Sequence, residues 1–130
     1  MVCKTLFKVD LDIKTKNKAL DFLILRIKYL ISFGILKLKD IEKIELIKKN
    51  SYSVKIYYKK EIINDDLIIL IQSVLGDDFK RTMICLRDLY LGIENWNRLF
   101  DIKRYPNGKY KIAKKLDVTK EIKEKLKNEK

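Results

Sequence analysis

The sequence predicts an α+β fold of the ferredoxin-like type, a split β-α-β sheet with an extra helix and a C-terminal β-hairpin. Three observations lead there. Segments whose apolar residues alternate at every second position are interleaved with segments where they recur every three or four. Asn, Gly and the lone Pro fall at several of the joins. The resulting order, β-α-β-β-α-α-β-β-α, matches the ferredoxin-like plan over its first six elements when the two middle helices are counted together.

Each element has its own signal. Phe7, Val9, Leu11 and Ile13 alternate with Lys8, Asp10 and Asp12, the pattern of a half-buried strand. Thr15 stands where an N-cap belongs, and a helix runs from there to about Phe33, with Gly34 as its stop. This helix carries two apolar stripes. Leu20, Leu23, Ile24, Ile27, Leu30 and Ile31 form one, and Phe22, Leu25, Tyr29 and Phe33 lie nearly opposite. Ile44 and Leu46, then Tyr52, Val54, Ile56 and Tyr58, read as a hairpin about the Asn50-Ser51 turn. Asn64 caps a helix through Leu67–Leu75 that stops at Gly76. Asp77 or Asp78 starts another, with Phe79, Met83, Leu86 and Tyr90 on one face, ending near Gly92. Trp96–Tyr105 alternate again, Pro106-Asn107-Gly108 makes a turn, and Lys109–Lys114 returns as the partner strand. From Asp117, Val118, Ile122 and Leu126 recur at spacing four beside the Glu121–Lys125 pair, as a short amphipathic helix or a frayed end. The chain divides into a single α+β domain over 1–116 and a charged C-terminal helix or tail over 117–130.

Composition bounds the function. There is no histidine, which removes histidine triads, zinc hydrolases and most general-base schemes near neutral pH. Cys3 and Cys85 make neither a zinc spacing nor a disulfide framework, so a reducing, cytoplasmic setting is expected. Leu20–Leu38, the longest apolar stretch, is broken by Asp21, Arg26, Lys28 and Lys37, which argues against a membrane span, and the first ten residues have no signal-peptide core. Abundant lysine with a single glutamine fits a thermophile, although an AT-rich genome gives a similar bias.

The net charge of +12 is unevenly spread. Residues 1–60 carry 15 basic and 6 acidic side chains, 61–102 carry 4 and 8, and 103–130 carry 11 and 4. A basic body around an acidic middle points to an anionic partner, DNA or RNA; solubilising surface lysines are the plainer alternative.

Two candidate surfaces follow. On the hairpin, Lys55, Tyr57 and Lys59 share one parity, with Lys8 and Lys43 on neighbouring strands, a pattern suited to stacking a base and neutralising phosphate. The glycines and paired aromatics of the RNA-recognition consensus are missing from Tyr52–Lys60. The second surface is the C-terminal ribbon with Arg98, Lys103, Arg104, Tyr105, Lys109, Tyr110 and Lys111. Four of the five arginines fall between 81 and 104, where they either grip phosphate or neutralise Asp77, Asp78, Asp88 and Asp101 within the fold. Asp101-Ile102-Lys103 is a weak nuclease pattern. The Phe22, Leu25, Tyr29 and Phe33 stripe needs cover, from the tail helix or from a second copy in a homodimer.

Gly76-Asp-Asp-Phe-Lys-Arg-Thr, Leu86-Arg-Asp and Asn95-Trp-Asn-Arg-Leu-Phe-Asp-Ile-Lys resemble small orphan proteins of viruses and plasmids of hyperthermophilic archaea, over residues 76–103. The resemblance implies a mobile-element origin and transfers no site. The function expected is non-enzymatic nucleic-acid binding for a virus or plasmid, with no cofactor and no metal site. A protein–protein module, either a homodimer or an inhibitor of a host defence complex, is the alternative, followed by a magnesium-dependent nuclease.

Overall fold

The alternating segments of the first half form strands β1 (Thr5–Ile13), β2 (Ile41–Lys48) and β3 (Tyr52–Tyr58). The computed structural model describes residues 3–97, 102–104 and 110–128, with side chains over 3–97 and 113–127. Helix α1 (Lys16–Ser32) joins β1 to β2, with a single 3-10 turn at Leu38–Asp40. After β3 come α2 (Asp65–Val74) and α3 (Phe79–Tyr90), then β4 (Ile102–Arg104), β5 (Tyr110–Ile112), β6 (Lys114–Asp117) and α4 (Thr119–Asn128). Four strands make an antiparallel sheet in the order β1-β3-β2-β6, and β4 and β5 pair separately.

Alternation decides the core. Phe7 and Val9 lie across from Ile56 and Val54, which in turn face Ile44 and Leu46, and all six are fully buried. Onto this face α1 lays Leu20, Leu23, Ile24, Ile27 and Leu30, the stripe read from its spacing. Ile68 and Ile71 of α2 and Leu75 at its C-cap complete one side of the core, and Val118 just before α4 and Ile122 within it the other. A Val, Leu, Ile or Phe side chain contributes about 1.5–3 kcal/mol on full burial, so this layer dominates stability.

Local signals fix the helix ends. Asn64 Oδ1 accepts the backbone N–H groups of Asp66 and Leu67 at the start of α2. Thr15, by contrast, makes no side-chain cap bond. The glycine stops hold: Gly34 N–H donates to the Ile31 carbonyl and Ile35 N–H to that of Leu30, the closing pair of a Schellman motif.

The α+β class stands, but the ferredoxin-like order does not. That plan sets its last strand beside β1, whereas here β6 lies beside β2. The place beside β1 is occupied. The outward N–H groups of Lys8 and Asp10 donate to Gln72 Oε1 at 2.9 Å and Asp77 Oδ1 at 2.8 Å, so side chains from α2 and the turn after it finish this edge. Strand β6 was not expected at all, because its residues (Lys114, Lys115, Leu116, Asp117) are all exposed and carry no apolar alternation. Nor do Trp96 and Asn97 belong to a strand. Among the described residues, no helix is long and apolar enough to cross a membrane.

Candidate nucleic-acid interface

The sheet's second face is ordered in rows by strand register. Leu6, Tyr57 and Lys43 share the first; Lys8, Lys55, Glu45 and Asp117 the second; Asp10, Ser53, Ile47 and Lys115 the third. The third row is closed at its centre, where Ile47 and Ser53 are buried. The first two are partly open: Lys43, Lys55 and Tyr57 are half-buried and Lys59 is exposed beyond the end of β3, while Glu45 is buried.

Lys43 Nζ lies 5.6 Å from the centroid of the Tyr57 ring and 3.1 Å from Glu45 Oε2. The hydrogen bond and charge of Glu45 hold the Lys43 ammonium above its ordinary value. Burial, and then the Glu45 charge, push the Tyr57 phenol up, so it stays neutral at physiological pH. The arrangement is an aromatic surface edged by ammonium groups, able to stack a ring and neutralise an adjacent anion. It is less basic than its lysines alone suggest, since the register sets Glu45 and Asp117 in the same row. Those acids were invisible from the alternation of β3, because strand pairing is non-local.

The second expected surface is placed only in part. Strands β4 and β5 pair Ile102 with Ile112, Lys103 with Lys111 and Arg104 with Tyr110, so Lys103 and Lys111 occupy the same register position on the ribbon. Arg98, Tyr105, Lys109 and Asp101 lie outside the described residues.

Two of the four clustered arginines are engaged within the fold. Arg81 Nη1 lies 2.7 Å from Asp77 Oδ2 and donates to the Lys8 carbonyl at 2.8 Å, and Nη2 donates to Asn97 Oδ1 at 2.8 Å. Asn97 and Gln72 exchange amide hydrogen bonds at 2.8 and 3.1 Å. Burial pushes the Asp77 carboxyl up, and the Asp10 N–H and Arg81 pull it partly back. Arg87 donates to the buried Asp88 at 3.0 Å. Gln72, Asp77, Arg81 and Asn97 tie α2 and α3 to the edge of β1. Removing one partner of the buried Arg81–Asp77 pair typically costs about 3–5 kcal/mol.

Of the expected interface stripe on α1, Phe22 is half-buried, with the Arg26 guanidinium 4.7 Å from its ring centroid. Leu25, Tyr29 and Phe33 remain exposed, Phe33 at 79%. Helix α4 enters the core without covering them. A second apolar row sits on α3, where Phe79, Met83, Leu86 and Tyr90 all face solvent, Tyr90 at 91%. Their shared face was legible from the spacing; its outward direction was not. Among the described residues, no cluster of three or more Cys, Asp or Glu side chains is placed to hold a metal ion. No protein family, curated protein or solved structure matches the chain.

Proposed function

We propose that this chain is a non-enzymatic nucleic-acid-binding protein that contacts phosphates through its basic sheet face, with the ribbon around Arg98, Lys103, Arg104, Tyr105, Lys109 and Lys111 as a second contact. The observation that carries the reading is the accessible Tyr57 ring on the sheet, flanked by Lys43 at 5.6 Å, with Lys55 two residues before it and Lys59 two after on the same strand parity. Stacking on one aromatic contributes roughly 1–3 kcal/mol per base, and each lysine releases a condensed counterion. The net charge of +12 supports the same class of partner over the long range. Origin in a virus or plasmid rests on the resemblance over residues 76–103 alone.

The test is fluorescence anisotropy with labelled single- and double-stranded DNA and RNA across a salt series. Affinity is expected to fall steeply with salt, and Tyr57→Ala to weaken single-strand binding about tenfold, in line with the loss of one stacked base. Absence of binding to every probe at low salt overturns the reading.

A second reading, a protein–protein module, is favoured by the solvent-facing apolar row of α3. Homodimerisation and inhibition of a host complex both belong to it.

A further inference from the structure

Helix α4 turns three lysines to one side. At 100° per residue, Lys120, Lys123 and Lys127 fall within about 60° of one another, beside the Ile122–Leu126 stripe that meets the core. With Thr119, Asp117 and Glu124 they line a groove of about 680 Å³. Lys59, at the end of β3, reaches the same corner and adds its field to that of Lys127 on Lys123.

Of the acids nearby, Asp117 and Glu42 also bond to neighbours, while Glu124 lines the groove itself. Asp117 Oδ1 accepts both the N–H and the hydroxyl of Thr119, and Glu42 lies 3.5 Å from Lys59 Nζ. Among the described residues, no carboxylate lies within ion-pair distance of Lys120, Lys123 or Lys127. Lys123 is half-buried, and burial, then Lys59 and Lys127, draw its ammonium below the ordinary lysine range against the opposing charge of Glu42. Crowding like charges beside a partly desolvated ammonium opposes folding; an anion in the groove reverses the sign of that interaction.

We propose that the groove along α4 binds the phosphodiester backbone of a nucleic-acid strand, with Lys120, Lys123 and Lys127 as the phosphate contacts and Lys59 linking them to the sheet face. The inference deepens the nucleic-acid reading and rests on it. A run of phosphates suits the site better than a single anion, because the lysines are spread along about 10 Å of helix axis.

The experiment is anisotropy with a fluorescein-labelled single-stranded DNA and the full chain, comparing wild type with Lys120→Gln/Lys123→Gln/Lys127→Gln. Each lost phosphate contact lowers the slope of log affinity against log salt by about 0.7 on a single strand, so the triple variant is expected to lose about 2. The triple Lys→Arg variant is expected to keep the wild-type slope. A Lys14→Gln/Lys18→Gln/Lys80→Gln variant controls for net charge and is expected to keep most of it. If wild type binds and the α4 variant retains its slope, or the control loses as much, this groove is not the contact and the sheet-face reading survives. If wild type binds no probe at all, both readings fall together. Should the triple variant unfold, Lys120→Gln and Lys127→Gln singly, each expected to remove about 0.7, decide the matter.

Discussion

Gly76 ends α2 at a φ of 103°, a conformation that side chains rarely adopt, and a Cβ there would run into the ring of Phe22. Both penalties act together in Gly76→Ala, which is expected to lose about 2 kcal/mol in denaturant unfolding. Replacing Phe22 by Leu removes the ring but leaves the backbone strain. The double variant Gly76→Ala/Phe22→Leu is therefore expected to be more stable than the two single losses predict by addition, by about 1 kcal/mol. Strict additivity would mean that the ring and the glycine do not meet. That a helix stops at Gly76 was legible in the sequence, because a glycine after an apolar period carries its own meaning. That its missing Cβ makes room for a phenyl ring 54 positions earlier was not, since the contact depends on how α1 and α2 come together.

At the scale of elements, period reports which side chains share a face but not which way the face turns. On α1 the larger stripe went inward as expected. On α3 the apolar row went outward, because the opposite side carries the buried Cys85 and Asp88 and Arg81, which donates to the Lys8 carbonyl at the edge of β1. The Tyr57 site was legible for the same reason as the core: alternation on β3 sets the odd positions opposite Val54 and Ile56. Its acidic neighbours, and the approach of Lys59 to the lysine row of α4, required tertiary placement. Helix α4 also carries a pH dependence. The Thr119 hydroxyl and N–H hold the Asp117 carboxyl below its ordinary value of 3.8. A carboxyl lowered on folding stabilises the folded form above the unfolded value and loses that contribution as pH falls through the folded one. The α4 amides are thus expected to gain hydrogen-exchange protection from Asp117 at pH 5 and above and to lose it below about pH 3.8. In Asp117→Asn, acid-dependent loss of protection is expected to shrink; an unchanged profile would assign the effect to another carboxyl.

For the whole molecule, two forces of opposite salt dependence are set against each other. A net charge of +12 keeps copies apart at low ionic strength, whereas the apolar row of α3 draws surfaces together once that repulsion is screened. Sedimentation velocity is expected to show self-association that strengthens with salt, the reverse of nucleic-acid binding. Phe79→Glu/Tyr90→Glu is expected to abolish it, with stability within about 0.5 kcal/mol of wild type for each exposed substitution. Phe33→Glu is expected to leave it intact. Loss of association in Phe33→Glu alone would return the interface to α1.

The pairing of β6 with β2 also constrains how the molecule comes into being. The Thr119 hydroxyl accepts the N–H of Ile44 across 75 positions of chain, and Val118 and Ile122 seal a core whose other walls lie within residues 7–75. The β2–β3 hairpin closes across a three-residue connection and can form within microseconds. The last strand and helix must instead find their place across a long loop whose closure entropy opposes the search. Until they do, the face made by Ile44 and Leu46 is missing one wall. The sheet is therefore expected to form early and the closure late, and the interval between them is where aggregation is expected to compete with folding.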